Sequence, residues 1–160
     1  MLKNLLSHKA IVILQDAIVQ ELYASNLYKH LSNQCQRLGY LGAASYFKNE
    51  SKDELEHYQL IADYMNDLGG VAEIPDVDGC DDEIKTLNDA IERAYKAEVD
   101  LGKKYTTWHG QVDPMTGQFL LQFLEIQRKG IGEYGDLLSR LDVADDNPAA
   151  LLIIDKELGQ

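Results

Sequence analysis

The sequence predicts an all-α protein: a bundle of four long helices with a long crossover between the second and third, and a short fifth helix at the C-terminal end. Three observations carry this expectation. The three prolines, at 75, 114 and 148, all fall in polar or glycine-bearing breaks, which leaves long runs free of the strongest helix breaker. Within those runs apolar residues recur at alternating three- and four-residue spacings, as on a helix that buries one face. One connecting segment, 69–81, is far longer than an antiparallel helix turn needs. At 160 residues the chain is expected to be a single domain, 1–160, long enough to bury a full core.

Helix A is expected from about Ser7 to Leu38, with Leu14, Ile18, Glu21, Ser25 and Tyr28 on its inward stripe and Gly39 as its stop. Helix B follows from Gly42 to Leu68. Its stripe holds Phe47, Ile61 and Met65, and the same face carries Glu54 and His57, one turn apart. The Gly69-Gly70 pair ends it. The thirteen residues of 69–81 reach on the order of 45 Å when extended, against about 40 Å for helix B, so they can run the length of the bundle. Helices B and C would then be parallel, the one-crossover topology.

Helix C is expected over Asp82–Trp108, capped by Asp81 or Asp82. It has the cleanest stripe: Ile84, Leu87, Ile91, Ala94, Glu98, Leu101, Tyr105 and Trp108. Helix D is expected from Thr116, as N-cap, to Leu141, with Leu120, Phe123 or Leu124, Gln127, Ile131, Tyr134 and Leu138 facing inward. Asn147 then caps a short helix over Pro148–Leu158, whose apolar Leu151–Ile154 segment calls for burial between subunits.

Composition narrows the function. There are 27 acidic and 15 basic side chains, for a net charge of −12. Such a chain repels nucleic-acid phosphates and attracts cations. Cys35 and Cys80 belong to no CxxC pair, which argues against a disulfide framework or a thiolate metal site. No apolar run approaches the roughly 18 residues of a membrane span. The AIVIL segment at 10–14 is too short for a secretory core, so a cytoplasmic location is expected.

Each stripe carries one acid or amide near mid-helix: Glu21, Glu54, Glu98 and Gln127. Any one acid alone is explained by a lysine partner or by a rotation toward water. Together they place three carboxylates at one height with no inward Lys or Arg opposite. Like charges so placed raise one another's pKa and destabilise the fold, and a divalent or trivalent cation removes that cost. Carboxylates with one imidazole, and no thiolate, suit iron or manganese, with zinc as a competitor.

The ELYASNLY stretch at 21–28, the ELEH at 54–57, Ala97-Glu98 and the LEIQ at 124–127 resemble non-haem ferritins in order and spacing over nearly the whole chain. The resemblance implies that Glu21, Glu54 and His57 bind a first iron ion, with Glu54 bridging to a second held by Glu98. It places Gln127 nearby as a weak or indirect ligand, and Tyr28 as a hydrogen-bonding residue able to supply an electron. It further implies oxidation of Fe(II) by dioxygen or peroxide, and storage of ferric mineral in a homo-oligomeric cage of 24 subunits. With three carboxylates and one imidazole for two ions, the second position should be the weaker. Leu55 stands where bacterioferritins have a haem-ligating methionine, so no haem is expected. Ile126, Lys129 and Gly130 replace glutamates of a third iron site, and Gly117 and Leu120 replace acids of iron-admitting channels. Asp53 and Glu56 match mineral-nucleating acids, while Gln59 replaces the third. A storage subunit without oxidase activity, a DNA-protecting miniferritin and a rubrerythrin-like peroxidase are the rival readings. The ligand set, the lack of a basic tail and the lack of CxxC pairs argue against each in turn.

Overall fold

The computed structural model describes residues 1–160 as five helices with no strand: α1 His8–Leu38, α2 Leu41–Asp67, α3 Leu87–His109, α4 Pro114–Ala144 and α5 Pro148–Leu158. The all-α bundle with a short fifth helix is what the periodicity predicted. Hydrogen bonds fix the directions. Ser25 bonds Ser51 and Ser32 bonds Ala44, so α1 and α2 run antiparallel. Tyr28 meets Glu98 while Tyr105 meets Glu21, so α3 is antiparallel to α1 and therefore parallel to α2. The crossover makes that possible. It lies along α1, held near one end by Gln15 to the Glu73 backbone (2.7 Å) and near the other by His30 to the Asp82 carbonyl (2.8 Å).

Two helix starts differ from the sequence expectation. Helix α3 begins at Leu87, not Asp82, because Thr86 and Asp89 form a reciprocal capping box. Asp82 is used elsewhere, in a 2.8 Å ion pair with Arg93. The crossover therefore spans 68–86 rather than 69–81, and Ile84 enters the core from the loop. Helix α4 begins at Pro114, capped by Asp113 and not by Thr116, whose backbone and hydroxyl both donate to the Asp113 carboxylate. It continues past Leu141 to Ala144, where Asp145 takes a left-handed conformation (φ 47).

Helix α5 docks on the start of α2. Tyr40 offers α2 no side-chain cap, and Asp155 of α5 supplies one instead. Its carboxylate accepts from Ala43 N at 2.7 Å and Gly42 N at 3.2 Å, an anion at the positive end of a helix. Position 42 must be glycine for this approach, since a Cβ there would lie 1.8 Å from the Asp155 carbonyl oxygen. Ile154 is buried by the docking, while Leu152 and Ile153 remain exposed. No helix is long and apolar enough to cross a membrane.

The core is divided in two. One apolar cluster contains Leu27, Leu31, Phe47, Leu87, Ile91 and Tyr134. The other contains Leu14, Ile18, Ile61, Met65, Leu101 and Phe123. Burial of such side chains stabilises the fold by roughly 1.5–3 kcal/mol each. The bundle can therefore tolerate a costly polar layer between the clusters, and that layer holds the predicted site residues.

Candidate metal centre

Helices α1 and α3 carry the same pattern, a glutamate followed seven residues later by a tyrosine: Glu21 and Tyr28, Glu98 and Tyr105. Seven residues are two helical turns, so each pair shares a face. Because the helices run antiparallel, the pairs cross over. The Tyr28 hydroxyl donates to Glu98 Oε1, and the Tyr105 hydroxyl donates to Glu21 Oε1 at 2.5 Å. Glu21 is 0% exposed, Glu54 3% and Glu98 6%. Three carboxyls thus lie inside the bundle.

Glu21, Glu54 and His57 form the tightest group, with one ligand atom from each within 4.8 Å of the others. His57 Nδ1 lies 3.2 Å from Glu54 Oε2 and 3.4 Å from Glu21 Oε2. The edge of the ring packs against Phe123, which holds its orientation. Glu21 Oε2 is buried without a hydrogen-bond partner. A buried carboxylate oxygen left so is rare and costly, and a cation between Glu21, Glu54 and His57 would satisfy it. The donor set fits iron: hard oxygen ligands with one imidazole and no sulfur.

Without a cation, protons hold the group together. Burial opposes the charge on Glu21, yet the proximity of Glu54 and His57 and the bond from Tyr105 bring its carboxyl below the ordinary value. Glu54 moves the other way, pushed well above the usual range by burial and by the Glu21 charge. Burial would lower His57, but the two carboxyls outweigh it and raise the imidazole to about 10. The environment therefore favours the ionised form of Glu21 and the proton-bearing forms of Glu54 and His57.

Glu98 is held on the opposite side. Burial raises its pKa despite the hydrogen bonds from Tyr28 and Gln127. The Gln127 amide donates to Glu98 Oε2 at 2.5 Å and to the Glu98 backbone oxygen at 3.2 Å, so it contacts the second carboxylate and not Glu21, Glu54 or His57. Gly130, one turn on, faces the same carboxyl: a Cβ there would lie 3.1 Å from Oε2 and 3.2 Å from Cδ. Beside it a cleft of ≈180 Å³ between α2 and α4 has Glu54, His57 and Glu98 among its lining residues, with Glu50, Asp53 and Glu133 also around it. There burial, with the charges of Asp53, Glu98 and Glu133, raises Glu50 to about 7.

All six residues singled out from the sequence lie in this layer: Glu21, Glu54 and His57 as one group, and Glu98, Tyr28 and Gln127 as a hydrogen-bonded set next to it. For Tyr105 the apolar stripe predicts a place in the core and nothing more. The repeated glutamate-to-tyrosine spacing is the signal that would have assigned it to Glu21. The contact between Gly130 and Glu98 had no sequence signal beyond an unusual glycine within a helix.

The fold and this acid-lined interior define a carboxylate-bearing helical bundle of the ferritin type. Residues 11–144 match the family model described as a ferritin-like domain, and the chain belongs to that family. It is 28% identical over 159 residues to a probable bacterial non-heme ferritin-like protein of Haemophilus influenzae, covering 97% of this chain and 96% of that one. It is also 28% identical over 142 residues to a bacterial non-heme ferritin of Escherichia coli O6:H1, covering 86% of each. Among solved structures, an engineered closed form of the Archaeoglobus fulgidus ferritin superimposes with a TM-score of 0.92 at 25% identity, covering 96% of both chains. An open-pore ferritin of the same archaeon gives 0.93 at 24% identity and the same coverage, a likeness of fold. Family and fold together support iron storage.

Proposed function

We propose that this protein is a ferroxidase ferritin, a single-domain subunit that oxidises Fe(II) inside its bundle and passes Fe(III) to a mineral stored within a cage of 24 copies in the cytoplasm. The observation that carries the reading is the buried convergence of Glu21, Glu54 and His57, in which Glu21 Oε2 makes no hydrogen bond and has His57 Nδ1 at 3.4 Å. Iron is substrate and cargo here, not a resident cofactor. Glu21, Glu54 and His57 take the first Fe(II), with the imidazole neutral so that its nitrogen can bind. Glu54 also reaches the second position, which Glu98 completes.

Each Fe(II) gives up one electron, so two ions reduce one dioxygen, with two protons, to hydrogen peroxide. Carboxylate ligands favour the more highly charged product. The protons displaced from Glu54 and His57 are available to the reduced oxygen. Tyr105 keeps Glu21 oriented, and Tyr28 and Gln127 hold Glu98 until the second ion arrives. The acidic cleft beside Glu98 draws cations toward the site.

Stopped-flow mixing of the assembled iron-free protein with Fe(II) and dioxygen tests this. A fast phase consuming two Fe(II) per subunit and abolished by Glu54→Ala is expected. A wild-type protein that oxidises iron no faster than buffer would refute it and leave storage without catalysis.

A further inference from the structure

We propose that Phe123 is the positioning residue of the first cation position, holding His57 directly and Glu21 through the Tyr105 hydroxyl. This rests on the reading of Glu21, Glu54 and His57 as the ligands of that position. Phe123 comes from α4, which supplies none of the three, and it is fully buried. Tyr105 stacks on its ring, with centroids 5.1 Å apart and planes 4° from parallel. His57 meets the same ring nearly at right angles, at 6.0 Å and 87°. One side chain therefore contacts both the imidazole and the donor that binds Glu21.

The Tyr105 hydroxyl donates to Glu21 Oε1 at 2.5 Å. That leaves Oε2 without a hydrogen bond, 3.4 Å from His57 Nδ1. Which oxygen of Glu21 faces the imidazole thus depends on where the phenol sits. The tilt of the phenol is set by its stack on Phe123 and by Trp108, which packs at right angles to it at 5.1 Å. Ligands act together when supporting side chains hold them to within about 0.5 Å. A flat ring fixes stacked and perpendicular neighbours by geometry as well as by apolar area, which an aliphatic side chain does not. The neighbouring turns of α4 show the contrast. Phe119, one turn earlier, stacks on Tyr64 at 4.1 Å and meets Phe123 at 5.5 Å, and these two are its ring partners. Gln127, one turn later, donates to Glu98. Successive turns of α4 therefore serve different ions, and loss of the Phe123 ring should be felt at the first position alone.

The test is stepwise titration of the assembled, iron-free protein, by calorimetry with Zn(II) and by visible absorption with Co(II). It compares the wild type with Phe123→Leu, Phe119→Leu, Tyr105→Phe and the Phe123→Leu/Tyr105→Phe double variant. Phe123→Leu should weaken the first Zn(II) by about tenfold or more, the usual range for a lost supporting contact, and leave the second unchanged. It should also shift the absorption of the first Co(II) equivalent, because His57 and Glu21 then meet the ion at altered angles. Phe119→Leu should lower the melting temperature and leave both affinities and the Co(II) spectrum as they were. Tyr105→Phe should weaken the first ion too, and in the double variant the combined loss should fall short of the two single losses multiplied together, since both act through one hydroxyl. If Phe123→Leu does not assemble, Phe123→Met, whose flexible side chain fills the gap better, carries the same expectations, and a methionine variant that also fails overturns the inference. So does a Phe123→Leu protein with the affinity and spectrum of the wild type, one that weakens both ions equally, or losses that multiply in full. A first Zn(II) that keeps its affinity in Glu21→Ala and in His57→Ala would instead refute the ligand reading, and the inference with it.

Discussion

Protons and cations compete for the same donors at Glu21, Glu54 and His57, so cation binding there should release protons and weaken steeply in acid. With His57 at about 10, neutralising the imidazole at about pH 7.5 costs on the order of 3–4 kcal/mol. Glu54, raised well above the carboxylate range, gives up a second proton. Two released protons correspond to about a hundredfold gain in affinity per pH unit, and one proton to about tenfold. For the fold itself the sign is opposite to that of an ordinary salt-bridged acid. Both groups hold their protons more tightly folded than unfolded. The stability they contribute is present at low pH and is lost as pH rises through the raised values, for His57 between about 6.5 and 10. The iron-free protein should therefore weaken toward alkaline pH, and bound Zn(II) should reverse the trend. Calorimetry in two buffers of different ionisation enthalpy counts the protons directly. No proton release, with an affinity flat across about pH 6 to 8, would refute the assigned protonation of the site.

Three further outcomes follow from the same geometry. Asp155→Ala removes the only side-chain cap of α2 and leaves two backbone donors unpaired, so it should destabilise the protein by about 1–3 kcal/mol in denaturant titrations; an unchanged midpoint would show that α5 does not depend on this contact. Gln127→Glu exchanges the amide that donates to Glu98 for a second carboxyl, so the iron-free protein should melt lower and Zn(II) should stabilise it more than it does the wild type. With iron, its tighter second position should slow repeated turnover after a normal first burst, and thermal melts with and without metal together with stopped-flow oxidation check both parts. Glu50→Gln should flatten the decline in iron-free stability between about pH 4.5 and 7, because burial and the Asp53, Glu98 and Glu133 charges raise Glu50 to about 7; a chemical-denaturation series across that range measures it.

The interior of the bundle was legible in the sequence to an unusual degree. The residues that periodicity places inward on α1 and α3 are all buried, though others such as Leu27, Leu31 and Ala90 are buried with them, and a charged residue on an apolar stripe is a strong signal because burying it is costly. Helix starts were less legible. Asp81, Asp82, Thr86 and Asp89 are all competent caps, and the choice among them rests on Arg93 and His30 taking Asp82 into tertiary contacts. Asp113 won over Thr116 because the proline that follows it is already shaped for a first turn. The role of Asp155 could not be read either, since a carboxylate capping a helix over a hundred residues earlier leaves no local pattern. Gly130 is similar: a glycine reports that space is needed, but not by which neighbour.

The most direct test of the proposed centre is an anomalous-scattering map at the iron edge from crystals of the assembled protein loaded anaerobically with Fe(II). Two iron peaks per subunit are expected, one bound by Glu21, Glu54 and His57 and a weaker one by Glu54 and Glu98, with Glu98 turned from its hydrogen bonds toward the metal. Iron confined to the acidic cleft by Glu50 and Glu133, with Glu21, Glu54 and His57 left without metal, would contradict it.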